Sequence, residues 1–340
     1  MLAKAWNKQK RIDNPSVIDE TLIDGLISDG YLVIVQFSKP CFDQKILKKI
    51  DQLCTKYGVK FAVRFYGFYS GSFNFRTLRS VPNVKNLHVD CLIRAENIVT
   101  LSELEHLLSL NFGVFETNEF ELLSFPNLGR LRQLILGQTR HKSYDLAPLR
   151  GFDSLETLTI ESHTKNIGAV GELDRLRYLG LSSIKRTSLE FVNSLKSLKS
   201  LFIILGGRAN IDEIQENQIE ELEIIWVRGF NELRNLERFR KLKKLYVEDQ
   251  IRLESIPFNE EMPFLQELWA INCKNLTSIT GLTNLRALKK LHFALTKIDY
   301  FSFLKQEMPA SLESLYVFTG KERLNDKIKN EIVRRGYPSY

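Results

Sequence analysis

Residues 265–293 read LQELWAINCKNLTSITGLTNLRALKKLHF. The stretch opens with Leu265, Leu268 and Ala270 in the spacing L-x-x-L-x-A, and it closes with Leu288, Leu291 and Phe293 in the same spacing. The second position of this phrase recurs as Leu134, Leu158, Leu179, Leu201, Leu222, Leu245, Leu268, Leu291 and Leu315, at intervals of 21 to 24 residues. Each of these has an apolar residue three before it, from Leu131 to Leu312, and another two after it, from Leu136 to Val317. A period of this length signals a solenoid, because one such unit cannot bury its own apolar face and must stack on its neighbours.

Within the phrase, L-x-L alternates apolar and exposed side chains, as a strand does. Between phrases the period changes: LTNLRALKKL and FVNSLKSLKSL place leucine every three residues, which suits short helical or 3₁₀ turns. Each unit is therefore a strand, a turn and a compact return. Stacked units give an α/β solenoid with a parallel sheet on one side and returns on the other, and the closer packing of strands predicts that the sheet is concave.

The phrase resembles the leucine-rich repeat, L-x-x-L-x-L-x-x-N/C-x-L, and ITGLTNLRAL is similar to the return of that family's irregular, roughly 22-residue class. The resemblance covers about residues 80–320 and implies a horseshoe of bacterial, stand-alone type. One departure is plain. The N/C position holds Cys273, but elsewhere Thr139, His163, Ile184, Gly206, Val227, Gln250, Thr296 and Gly320. The family's buried asparagine ladder is therefore expected to be largely missing.

Upstream, VKNLHV matches through Val84, Leu87 and Val89, and LEHLLSLNF matches loosely around Leu108 and Leu110. YLVIVQF (31–37), the helical FDQKILKKIDQLCTKYG with Gly58 as its C-cap, and VKFAVRFYG (59–67) make a βαβ unit. NPSVIDETLIDGLISDG reads as a helix with Ser16 near its start and Ile18, Leu22, Ile23 and Leu26 apolar. The expected division is an N-terminal cap over 1–80 continuous with the sheet (a separate small domain being the alternative), a repeat array over 81–320, and a capping helix over 321–340 with Leu324, Ile328 and Ile332 as its buried stripe, ended by Gly336 and Pro338.

Composition bounds the function. Of 340 residues, 44% are hydrophobic and 26% charged, and the formal net charge is +7. No apolar run approaches the roughly 18 residues of a membrane span. The polar, basic start MLAKAWNKQKRIDNPS does not read as a secretory leader. Cys41, Cys54, Cys91 and Cys273 are scattered without a CxxC pair, which predicts reduced thiols in a cytoplasmic protein. LGGRAN (205–210) lacks the Lys-Ser/Thr of a phosphate loop. The histidines at 88, 106, 141, 163 and 292 have no ligand partner at helical spacing, so neither a metal nor a cofactor is expected. HVDC (88–91) reads as strand and turn. CFDQ (41–44) resembles the C-x-D of bacterial leucine-rich-repeat ubiquitin ligases only superficially, since the large helical domain of those enzymes has no counterpart here. No enzymatic activity, small-molecule substrate or nucleic-acid motif is expected.

The informative residues are then the strand positions that face away from the core. They carry Asp90, Glu161, Glu221, Glu223, Glu248 and Glu267 against Lys244 and Lys290, an acidic surface on a basic chain. The positive excess falls instead in runs such as RFRKLKK and VRRG. The same face carries Tyr178, Phe202, Tyr246, Trp269, His292, Tyr316 and Phe318. Aromatic rings set among carboxylates suit the core of a protein interface, and the resemblance implies a concave binding face, used by the ribonuclease inhibitor family in the same general manner. The expected function is a non-enzymatic scaffold that holds a partner protein with a basic surface between about Glu161 and Phe318; an immunity protein for a basic toxin would fit. An adaptor or substrate-recruiting subunit, docked through residues 1–60, is one alternative. Nucleic-acid or anionic-membrane binding by the basic convex face is another.

Overall fold

A computed structural model describes residues 8–39, 43–67, 71–185 and 187–338; Cys41 lies outside them. The chain divides into two compact units, Met1–Arg175 and Leu176–Tyr340.

The first unit runs β1 (Gln9–Asp13), α1 (Glu20–Ser28), β2 (Leu32–Phe37), α2 (Gln44–Tyr57), β3 (Phe61–Tyr66), β4 (Asn86–Leu92), β5 (Ser109–Val114), β6 (Gln133–Leu136) and β7 (Thr157–Glu161). Each strand pairs with the next in parallel. Register keeps the repeat's leucines in one row, Val63 beside Leu87, then Leu110, Leu134 and Leu158. The returns are 3₁₀ turns, among them Ile98–Glu103, Ala147–Gly151 and Ile167–Glu172. Under the sheet, Phe37, Phe65, Phe73, Phe75, Phe112, Tyr144 and His163 form a column of rings with centroids 4.8–6.3 Å apart, a spacing at which aromatic pairs attract beyond their area burial.

Several upstream details differ from the sequence reading. The phrase in LEHLLSLNF is Leu107, Leu110 and Phe112, all buried; Leu110 is its marker, in register with Leu134, while Leu108 is only half-buried and Leu107 takes the first position. Helix α1 is capped by Asp19, whose carboxylate accepts from the Leu22 amide at 2.9 Å, and not near Ser16. Only Ile23 of its apolar residues is fully buried, and Leu22 is exposed. Strand β1 was not foreseen, because QKRID shows no apolar alternation. Its backbone pairs with β2 while its side chains stay mostly exposed.

The second unit runs β8 (Tyr178–Ser182), β9 (Ser200–Ile204), β10 (Glu221–Ile225), β11 (Lys244–Glu248), β12 (Glu267–Ile271), β13 (Lys290–Ala294), α3 (Tyr300–Phe303), β14 (Ser314–Phe318) and α4 (Glu322–Arg334). These strands also pair in chain order and in parallel. Helix α4 buries Ile328 and Ile332, Leu324 is half-buried, and Gly336 ends the helix region at φ 87°.

After each strand from β7 to β13 comes a residue in the left-handed region: Ser162, Ser183, Leu205, Trp226, Asp249, Asn272 and Leu295, with φ between 51° and 66°. In the second unit the amide of each donates to the last strand residue of the following repeat, as Trp226 does to the Glu248 carbonyl at 2.9 Å. The next residue points inward at the N/C position. No asparagine stands at this position in the repeats, but three other side chains reach carbonyls from it. Gln250, fully buried, donates through Nε2 to the Glu248 carbonyl (2.8 Å) and to the Ile224 carbonyl one repeat back (3.3 Å). His163 bonds the Gly137 carbonyl through Nε2 at 2.9 Å. Cys273 reaches the Ile271 and Val247 carbonyls. At these three repeats the position still satisfies carbonyls across the stack, with other donors; Ile184, Gly206, Val227 and Gly320 bring no side-chain donor to it.

Candidate functional site

On each strand of the second unit, side chains alternate between the core and an open face. On β10, Leu222 and Ile224 point inward and are fully buried, while Glu221, Glu223 and Ile225 lie on the other side. Register then arranges the open face in rows across the strands.

The first row reads Tyr178, Ser200, Glu221, Lys244, Glu267, Lys290, Ser314. Its charges alternate between strands, which is favourable for cross-strand neighbours. Lys290 Nζ lies 3.0 Å from Glu267 Oε1, and Lys244 Nζ turns into the middle row to reach Glu223 Oε1 at 2.7 Å. Burial acts to raise the Glu267 pKa, but Lys290 and the Trp269 indole, which donates to its carboxylate at 3.3 Å, hold it below the usual range.

The middle row reads Gly180, Phe202, Glu223, Tyr246, Trp269, His292, Tyr316. Gly180 presents no side chain, and the Tyr178 ring stacks on Phe202 with centroids 4.7 Å apart. Tyr246, Trp269, His292 and Tyr316 continue as a four-ring ladder with centroids 6.1, 3.9 and 5.6 Å apart. Burial pushes the Tyr178 hydroxyl up to about 12 and lowers His292, so the tyrosine stays neutral and the imidazole uncharged at neutral pH. Tyr246 donates to Glu248 at 2.8 Å, and both its burial and that carboxylate raise its pKa.

Two residues expected on the surface are not. Phe202 and Glu223 are 3% and 1% exposed. Phe202 is covered by Tyr178, and Glu223 sits in the row between Phe202 and Tyr246 with Lys244 on it. They support the face rather than present it. Glu161 ends β7 of the first unit, where its carboxylate accepts from the Gln138 amide at 3.3 Å. The third row, Ser182, Ile204, Ile225, Glu248, Ile271, Ala294, Phe318, is largely apolar. Trp226, just beyond it, is 66% exposed and was missed, because a strand-centred reading stops at the last L-x-L position.

The open face of the first unit has a different chemistry. Asp13, Gln36, Arg64, His88 and Asn111 form a polar row. Arg64 binds Asp90 in a fork at 2.6 and 2.9 Å and Gln36 at 3.0 Å, and it lies over the Tyr66 ring. HVDC is strand and bulge, with a register shift between Val89 and Leu92 and Cys91 at φ 54°.

On the return side, the basic run 238–243 is largely neutralised by the repeat before it. Arg238 pairs with Asp212, Arg240 with Glu216 and Lys243 with Glu220, at 2.7–3.2 Å. Lys241 lies over the Phe264 ring. A cleft of about 700 Å³ lined by Glu216, Arg240, Lys241, Met262 and Phe264 opens there, with both charge signs in its wall. Among the described residues no group of His, Cys, Asp and Glu could hold a metal ion, and no helix is long and apolar enough to cross a membrane.

No protein-family model matches the chain, and no curated protein matches it. Solved structures do. An internalin, InlF from Listeria monocytogenes, is 17% identical, with a TM-score of 0.54 over 91% of this chain and 86% of its own. The mouse RP105/MD-1 complex gives 16% identity and a TM-score of 0.52 over 84% of this chain and 54% of the matched one. The APL1 leucine-rich repeat domain gives 16% identity and a TM-score of 0.45, over 92% of this chain and 80% of its own. At these identities the likeness concerns the fold, and it agrees with the strand ladder, the 3₁₀ returns and the recurring phrase: this chain folds as a leucine-rich repeat solenoid.

Proposed function

We propose that the chain is a non-enzymatic scaffold that binds a partner protein, one with a basic surface, on the open face of the second unit. The observation that carries this reading is the ladder Tyr246–Trp269–His292–Tyr316, partly exposed and flanked by Glu248 and Glu267. Rigid rings on a strand scaffold give contact area at little entropic cost, and aromatic residues are enriched at interface hot spots. The surrounding carboxylates favour encounter with cationic surfaces. Phe202, Glu221, Glu223 and Tyr178 brace this surface, and Tyr316 and Phe318 end it. Fold likeness supports binding only by analogy. Free thiols at Cys54, Cys91 and Cys273 suit a reducing, cytoplasmic setting.

The test is affinity capture from an extract of the source organism, with the full chain as bait, read by mass spectrometry against the double variant Trp269→Ala, Glu248→Lys. Both residues are partly exposed, so the variant should keep its fold. A protein captured by the wild type and lost by the variant supports the reading. A protein retained by both moves the site elsewhere.

A further inference from the structure

The row beyond the strands runs Ser183, Leu205, Trp226, Asp249, Asn272, Leu295, linked because each amide donates to the strand end of the next repeat. All six are left-handed, a conformation that asparagine, aspartate and glycine adopt most readily and bulky side chains avoid. Three of them, Ser183, Asp249 and Asn272, are small or polar. Leu205, Trp226 and Leu295 are large, left-handed and still 37%, 66% and 39% exposed. Leu205 and Leu295 bury part of their surface within the chain, but Trp226 leaves two-thirds of its ring in solvent in a conformation that bulky residues avoid, which suits a use outside the chain.

Chemistry along this rim is ordered. Ile204 and Leu205 end β9, and Ile225 and Trp226 end β10 beside them. Next come two acids, Glu248 and Asp249. Beyond these the surface is apolar again through Ile271 and Leu295. The other carboxylates of the ladder, Glu223 and Glu267, have lysine partners. Glu248 and Asp249 bond to the Tyr246 hydroxyl and the Asn272 amide, and neither pairs with a cation among the described residues.

Resting on the protein-binding reading above, we infer that the strand-end rim from Leu205 to Leu295 seats an extended segment of the partner in which a lysine or arginine is flanked by large apolar residues. The cation meets Glu248 and Asp249, and the flanking side chains meet Trp226 with Ile225 on one side and Ile271 with Leu295 on the other. Strands are about 4.8 Å apart and an extended chain advances about 3.4 Å per residue, so a short segment crossing the strands can span both apolar patches.

The test uses a phage-displayed library of random peptides, panned on the full chain and on Trp226→Ser, Glu248→Lys and Trp269→Ser. Serine already occupies this left-handed position at Ser162 and Ser183, so Trp226→Ser should fold with an unchanged urea midpoint. The expected result is enrichment of basic residues flanked by bulky apolar ones, with recovery reduced about tenfold or more by Trp226→Ser and by Glu248→Lys. Peptides lost on Trp269→Ser but kept on Trp226→Ser overturn the rim and leave the sheet-face reading standing. Peptides kept on every variant overturn both. No enrichment, or enrichment of acidic peptides, overturns the inferred partner chemistry.

Discussion

At Gln250 one fully buried side-chain amide ties together two carbonyls of neighbouring repeats, those of Glu248 and Ile224. Replacing it by alanine removes both bonds and the buried packing of the side chain, so Gln250→Ala should cost about 1–3 kcal/mol, read as a lower urea midpoint. A surface change such as Gln138→Ala should leave that midpoint in place. His88 gives a residue-scale pH dependence. Burial lowers its pKa from 6.5 to about 4, with Asp90 opposing and Arg64 and Arg11 assisting. The folded chain thus holds this imidazole neutral while the unfolded chain lets it protonate. Its contribution is full above about pH 6.5 and is lost as pH falls toward about 4. Urea titrations across that window should show a steeper loss for the wild type than for His88→Gln; equal slopes would assign the loss to other groups. The inward leucines were legible because their period is simple. Gln250 and His163 were not, because only the structure shows that a longer amide and an imidazole can reach the carbonyls an asparagine would.

Elements were legible where one face is buried and the other wet. Strands β6 to β14 follow from L-x-L, and α2 from Ile46, Ile50 and Leu53 at helical spacing, of which Ile50 and Leu53 are buried. Strand β1 was hidden because its pairing is a backbone matter and its side chains are exposed. The exposure of Trp226 and the burial of Phe202 were hidden for a shared reason: alternation tells which face a side chain takes, not what its row neighbours cover. Turn geometry makes its own demand at Gly281, at φ 77°, where an added Cβ would strike the Phe258 carbonyl. Gly281→Ala should cost at least about 2 kcal/mol. Gly168 has nothing within 4 Å of an added Cβ and no left-handed φ, so Gly168→Ala should be near neutral. Equal effects of the two would contradict this account of the turn.

For the whole molecule, a net charge of +7 has less consequence than the number suggests. Many basic side chains of the returns are tied to carboxylates one repeat away, as in Lys199–Glu220–Lys243 and Arg94–Glu116–Arg140. Such exposed pairs each stabilise by only about 0–1 kcal/mol, but each offsets cations that a phosphate backbone would otherwise meet. Retention of random duplex DNA should therefore be weak and vanish near physiological salt, whereas a true phosphate-tracking surface would bind with a steep salt slope. Association with a basic partner should instead slow with added salt mainly through its on-rate.

The central claim is that the open face of the second unit is the binding surface. Hydroxyl-radical footprinting of the full chain, alone and with its captured partner, tests it most directly, because the rings concerned are the reactive groups. The account expects Trp226, Tyr246, Trp269 and Tyr316 to become protected while Phe264 and Phe301, exposed on the return side, keep their reactivity. Protection of Phe264 and Phe301 with the sheet-face rings unchanged would contradict it.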